Sequence, residues 1–528
     1  MYQSVDLIVI GGGATGAGIA LDAALRGLSV TLFEQNDFGE GTSSRSTKLV
    51  HGGVRYLEAA VKHLDKDQWK LVREGLKERK RFLHNASHLA HSIELITPIY
   101  KWREMAYVYF GLVLYDLISG KHRLGTSHIL GAKETLNRSN VINPIGLKGS
   151  VSYFDGTFND ARMVIALLQS AEKLGANVYN HHEITQILKN SNGKAVGVKV
   201  YDKLNDSNTQ YLATAVINAT GPFADNIRSM DDPDCKPLIK ISSGIHIVLP
   251  ARFLPESQGV MIPKTSDGRL LFALPYGKHC MVGTTDNPAT LSEHPRATED
   301  EIDFLLEHYN RYFATKANRD DILSIFSGLR PLMVSDKHNA TSALVRESEY
   351  VFSPSGMLTV TGGKWTAYRA MGEKALDLIL ARHPSLSHAK RCETSKYKIT
   401  GSTMPRNKIM EKLNSNPLLR PIAEHLYELY GDQSIFVADY AENDDDLIPI
   451  ASDILTTRAE IRYAIYREYA LKPLDFIVRR SGIGLADRKK SFDILPEVIA
   501  IMRKELHWSD KFTNSVTDEV KKGKILYQ

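Results

Sequence analysis

Residues 42–58 read TSSRSTKLVHGGVRYLE. This short stretch gathers the hydroxyls of Thr42, Ser43, Ser44, Ser46 and Thr47, the imidazole of His51, the adjacent Gly52 and Gly53, and the cation and phenol of Arg55 and Tyr56. It starts just behind a run apolar enough to be a buried strand. Hydroxyls in such a row suit hydrogen bonds to phosphate or ribityl oxygens. A glycine pair lets the backbone approach a flat ring, and His51, Arg55 and Tyr56 would then stand near its reactive face. The plainer alternative is a polar loop capping a helix near Tyr56.

The elements that must position these groups begin at the N-terminus. DLIVIGGGATGAGIALDAALRGLSVTLFE, residues 6–34, places an apolar strand ahead of Gly11, Gly13 and Gly16. Ala14 and Thr15 open a helix there, and a second strand ends in Glu34. This spacing lets the backbone reach a pyrophosphate while the helix start turns its N–H groups toward the negative charge. Glu34 falls where a ribose 2′-hydroxyl is held. The pattern predicts dinucleotide binding and fits NAD or FAD. Two later stretches favour FAD. ATAVINATG, residues 213–221, is a strand running into Ala219 and Gly221. GMLTVTGGKWTAYRAMGEKALDLIL, residues 356–380, repeats strand, glycine pair and helix with Gly362, Gly363, Lys364, Trp365 and Thr366 at the junction. Repeated visits to one nucleotide suit an extended cofactor, and the second helix start would stabilise negative charge on a flavin.

Other residues could serve an anionic substrate. Arg55, Arg330 and Arg346 offer guanidinium forks for a phosphate, with Tyr56 as a further donor. Lys364 could approach the flavin or the substrate. His51 and His246 are candidate bases because imidazole titrates near neutral pH, with Arg330-assisted proton transfer as an alternative. His246 also reads as a core histidine of a strand. The segment 284–286 would shape the site or simply end a strand.

Composition narrows the class. The 528 residues carry a formal charge of +5, which is weak for nucleic acid and compatible with anionic small molecules or an anionic membrane surface. Three scattered cysteines give neither a disulfide framework nor metal-ligand spacing, so no metal site and a reducing cytosol are expected. No export signal is visible, and no apolar run reaches the roughly 18 residues of a membrane span.

TSSRSTKLVHGGVRYLE resembles a motif of the FAD-dependent glycerol-3-phosphate dehydrogenases. So do YDLISGKHRLG (115–125), GTTD (283–286), SGLRPL (327–332), GGKWTAYR (362–369) and AEIRYAIYREYALKPLDFIVRRSGIGLAD (459–487). The resemblance spans nearly the whole chain. It implies oxidation of sn-glycerol 3-phosphate to dihydroxyacetone phosphate, with hydride passing from C2 to FAD and electrons then to membrane quinone. Oxygen as acceptor, an amine or amino-acid oxidase, and a non-catalytic redox-sensing flavoprotein are the alternatives.

The expected architecture is an α/β FAD-binding Rossmann-like domain of the glutathione-reductase and D-amino-acid-oxidase kind, with a mixed-sheet substrate domain and an α-helical C-terminal domain. The first takes residues 1–70, 150–225 and 330–385, the second 71–149 and 226–329, the third 391–528. Residues 100–123, aromatic and apolar with basic flanks, suit an interfacial helix, although a buried domain helix would read the same way. Peripheral contact with the inner face of the cytoplasmic membrane, and a homodimer, complete the expectations. The missing cysteine cluster and calcium loops point to a single-chain aerobic bacterial subtype.

Overall fold

The computed structural model describes residues 3–53, 66–255, 257–334 and 348–520. Arg55, Tyr56 and Arg346 lie outside them.

Residues 7–10, Leu-Ile-Val-Ile, are each at most 3% exposed, as a strand covered on both faces requires. Their strand, Gln3–Ile10, runs parallel to Ser207–Asn218 on one side and Val30–Phe33 on the other. The eight-stranded sheet runs Ser348–Phe352, Leu358–Gly362, Ser207–Asn218, Gln3–Ile10, Val30–Phe33, Asn177–Tyr179, with the strands His182–Lys189 and Ala195–Asp202 attached beside Ser207–Asn218. Ala195–Asp202 and Ser207–Asn218 form an antiparallel hairpin. Small residues on the helix Ala14–Leu25 let it pack closely against Asp160–Lys173 and Tyr368–Arg382.

The second sheet has ten strands and is mixed. Ile239–Pro250 pairs antiparallel with His279–Gly283 and Ser324–Met333, while Gly259–Ile262 runs parallel to Ala90–Ile99. Leu49–Val50 and Gly149–Phe158, expected in the first unit, belong here, Leu49 standing opposite Thr157. The expected boundary at 330 also falls inside the strand Ser324–Met333. Short apolar strands carry no mark of which sheet they will join, so composition could not place these crossings.

The C-terminal region is helical, with Arg406–Ser415, Ala423–Tyr430, Arg458–Glu468, Arg488–Glu505 and Asp510–Glu519 around a small two-stranded ribbon, Pro449–Ala451 and Ile454–Thr457. Arg162 of the first unit forks onto Glu468 at 2.6 and 2.5 Å, both side chains buried, which locks this region to the helix Asp160–Lys173. Among the described residues no helix is long and apolar enough to cross a membrane.

Candidate active site

A cavity of about 830 Å³ is lined by residues of both sheets. At one end the N-terminal strand turns at Gly11, whose φ of 104° favours glycine. A side chain at Gly16 would put its Cβ 1.8 Å from the Gly11 carbonyl oxygen, so only glycine lets the helix start this close to the loop. Gly11, Gly13, Ala14 and Thr15 line the cavity. Glu34 also lines it and accepts from the Gly12 N–H at 2.7 Å and the Asn36 N–H at 3.0 Å. Burial pushes its carboxyl pKa up against those two donors. These are the features of a cradle for the phosphates and ribose of a dinucleotide.

The hydroxyl-rich segment is arranged less uniformly than its sequence implies. Thr42, Ser43, Ser46, Thr47 and His51 line the cavity; Ser44 is buried behind it. Ser43 Oγ accepts from the Ala14 N–H at 2.9 Å, and Thr42 donates to the Leu329 carbonyl at 2.5 Å. Ser46 donates to Asp160 at 2.7 Å, the same carboxylate that pairs with Lys48 at 2.5 Å. Gly16, Gly52 and Gly53 do not line the cavity. The Gly52 N–H donates to Tyr115 Oη at 2.8 Å, and a Cβ there would fall 2.4 Å from Leu76. Its close approach is to the helices Lys66–Asn85 and Trp102–Ser119.

The second glycine loop closes over the first. Ala219, Gly221, Gly362, Gly363, Lys364, Trp365 and Thr366 all line the cavity. Trp365 Nε1 donates to the Ser43 carbonyl at 2.9 Å, and Thr366 Oγ1 to the His51 carbonyl at 3.2 Å. Side chains from opposite ends of the sequence thus fix the segment carrying His51.

Arg330 and His246 enter from the second sheet. The strand Ser324–Met333 sets Arg330 opposite Ser242. Its guanidinium donates to the carbonyls of Ser243 and Thr285, both at 3.0 Å, and to Thr284 Oγ1 at 2.9 Å, and lies 3.3 Å from Asp286. Gly244 makes room for it, since a Cβ there would lie 2.1 Å from Arg330 Nη2. The segment 284–286 therefore does shape this wall. His246 is buried, stacked on Phe326 at 4.9 Å, and bonded through Nε2 to Thr47 Oγ1 at 3.0 Å. Its Nδ1 has no hydrogen-bond partner among the described residues. Burial, then the charges of Arg330 and Lys48, hold the imidazole pKa well below its ordinary value, so the ring is neutral near pH 7.

Arg45, Arg269 and Asp155 are among the cavity residues that were not anticipated. Arg45, buried, donates to the Glu293 carbonyl at 3.2 Å. It sits inside the hydroxyl-rich segment, which was signal enough. Arg269, bonded to Asp267 at 2.6 Å, had no such flag. Asp155 is buried against Arg79 at 2.8 Å, within the strand Gly149–Phe158.

Residues 6–369 match the FAD dependent oxidoreductase family, and residues 392–513 match the C-terminal domain of alpha-glycerophosphate oxidase. The mitochondrial glycerol-3-phosphate dehydrogenase of Rattus norvegicus is 38% identical over 96% of this chain and 71% of its own. A probable mitochondrial glycerol-3-phosphate dehydrogenase of Caenorhabditis elegans matches to the same extent, 38% over 96% and 71%. The chain belongs to the FAD-dependent glycerol-3-phosphate dehydrogenase family. In three dimensions the glycerol-3-phosphate dehydrogenase of Bacillus halodurans, solved with FAD, superposes with a TM-score of 0.81 at 28% identity, covering 99% of this chain and 95% of that one. FAD is the cofactor of this glycerol-3-phosphate dehydrogenase family, and the two glycine loops, the Glu34 carboxylate and the helix start at Ala14 provide the donor set and the side-chain-free cradle it needs.

Proposed function

We propose that the chain oxidises sn-glycerol 3-phosphate to dihydroxyacetone phosphate. The carrying observation is that an anchored guanidinium, Arg330, and a neutral imidazole, His246, share one cavity with the FAD cradle. FAD, when bound, supplies the acceptor for the hydride that leaves C2. The protein's own groups do the rest. Arg330 and Lys364 supply positive charge for the substrate phosphate, with Arg55, Tyr56 and Arg346 joining them on the strength of the family resemblance. Held rigidly by Ser243, Thr284, Thr285 and Asp286, Arg330 is pre-organised and loses little freedom on binding. The neutral imidazole of His246, held through Nε2 by Thr47, is one candidate to take the proton of the C2 hydroxyl as the hydride departs. His51, on the loop pinned by Thr366, is the second candidate for that proton.

Anaerobic mixing with glycerol 3-phosphate tests the reading. Loss of flavin colour within one turnover is expected, with none on glycine, sarcosine or D-alanine. Bleaching by an amino acid but not by the phosphate ester would replace this function with that of an amine oxidase.

Membrane quinone is the proposed electron acceptor, reached by peripheral contact at the inner face of the cytoplasmic membrane. The helix Trp102–Ser119 supports this. It turns Tyr115 and Leu112 inward and leaves Trp102 66%, Tyr107 58%, Phe110 72% and Leu117 69% exposed. Lys77, Lys80, Arg81 and Lys121 lie close enough to His122 to help burial depress its pKa. An apolar ridge beside a cationic rim suits an anionic lipid surface. Reoxidation of the reduced enzyme by a quinone analogue in vesicles should outpace reoxidation by dissolved oxygen; the reverse order would make it an oxidase.

A further inference from the structure

The loop after the strand Val30–Phe33 has two faces. Glu34, Gln35, Asn36 and residues 39–43 line the cavity; Asp37 and Phe38 do not. Both are fully buried on the other side, against the C-terminal region. Phe38 meets Tyr469 edge-on at 5.6 Å. Asp37 receives Arg480 Nη1 at 2.6 Å and Nη2 at 2.8 Å, Arg479 through Nε, and Asn180 Nδ2 at 3.0 Å. Arg479 also reaches Glu40 at 3.2 Å and Asp475 at 3.1 Å, and Asp475 in turn holds His181 at 2.9 Å.

Asp37, His181 and Asp475 have the spacing of metal ligands, but both oxygens of Asp37 are already taken by guanidinium groups. The cluster is an ion network, with its cations built in. Its geometry depends on a wide π-helical turn, Asp475–Arg480. On an α-helix adjacent side chains point about 100° apart. Here the consecutive Arg479 and Arg480 converge on one carboxylate, and Arg480 is fixed from behind by the Glu468 carbonyl at 2.6 and 2.9 Å.

The geometry points to Arg479 and Arg480 as positioning residues for the cofactor loop: the C-terminal domain sets the shape of the FAD site from outside it. The loop's other anchors sit at its two ends, where Glu34 holds the Gly12 N–H, Thr42 the Leu329 carbonyl and Ser43 the Ala14 N–H, and leave its middle to Asp37 and a few backbone bonds. The Gly39 N–H bonds Gly12 and the Ser44 N–H bonds Gly39. Without the arginines Asp37 would be a buried, under-paired carboxylate, and the surface carrying Glu34, Glu40 and Ser43 would shift with it. A residue reached only through the loop would change cofactor affinity without touching the cofactor. This inference rests on the FAD reading of the cavity.

The test is FAD titration of the apo-protein followed by flavin fluorescence, on wild type, Arg480→Met, Arg480→Lys and Arg462→Met. Arg462 is a control in the same domain, buried against Asp446 at 2.7 Å and Glu505 at 2.9 Å, with no partner in the loop. The expected result is a rise of roughly tenfold or more in the FAD Kd for Arg480→Met. Partial rescue is expected in Arg480→Lys, with no change in Arg462→Met even where it lowers Tm as much. Should Arg480→Met fail to fold, Arg479→Lys is read in its place, and its Kd must rise. An unmoved Kd, or an equal rise in Arg462→Met, overturns the positioning role. Failure of the wild type to bind FAD would overturn the cofactor reading itself.

Discussion

Thr47 Oγ1 and His246 Nε2 lie 3.0 Å apart and join the hydroxyl-rich loop to the strand Ile239–Pro250 of the second sheet. This contact orients the imidazole, whose Nδ1 is buried without a hydrogen-bond partner among the described residues. Burial beside two cations makes the charged ring costly.

That cost has a pH signature. The folded-state pKa of His246 is depressed, so its neutral form is fully favoured above the ordinary histidine value, near 6.5. Stability is lost as pH falls from there toward the folded pKa, because the unfolded chain binds the proton first. The slope approaches about 1.4 kcal/mol per pH unit for one such group. Unfolding by urea between pH 7 and 5 should show wild type losing more stability than His246→Gln. Parallel curves would mean that the fold does not depress the His246 pKa.

Gly244→Ala aims at the arginine without removing it. The added methyl would sit 2.1 Å from Nη2 and 2.4 Å from the Thr285 carbonyl, so the guanidinium must leave its four-point anchorage. FAD content should be retained while KM for glycerol 3-phosphate rises about tenfold or more, as expected when a rigid charge-assisted contact is lost. Steady-state kinetics on flavin-saturated enzyme would show it; an unchanged KM would take Arg330 away from the substrate.

Arg330→Ala should lower kcat/KM by roughly 2–4 kcal/mol in transition-state terms. Removal of the cation also relieves His246 of one of the two charges that lower its pKa, so the low-pH stability loss should level off at a higher pH and be smaller in total. A mutant with normal kcat/KM would exclude Arg330 from the site.

Trp102→Ser together with Phe110→Ser tests the outer helix. Both side chains point to solvent, so folding and turnover with a soluble dye should stay near wild type. Co-sedimentation with anionic vesicles should fall severalfold. Undiminished pelleting would move any membrane contact elsewhere on the surface.

The nucleotide cradle was legible because its requirements are local: strand, glycine loop, helix and acid lie within residues 6–34, each dictated by backbone geometry. Trp365 and Thr366 were flagged by the glycine pair before them, but not their grip on Ser43 and His51, which depends on tertiary packing. Gly52 shows the converse. A glycine beside a predicted ring site serves to admit Leu76 and Tyr115, because a missing side chain records only that something is near, not what. The charge network at Asp37 left no trace in local sequence, since its partners lie 442 and 443 residues away.

That separation has a consequence for biosynthesis. At about 5–20 residues per second, the ribosome releases Asp37 some 20–90 s before Arg480 can meet it. Through that interval the nascent polypeptide holds an acidic loop whose counter-ions do not yet exist, so the loop reaches its final charge balance only when translation is nearly finished.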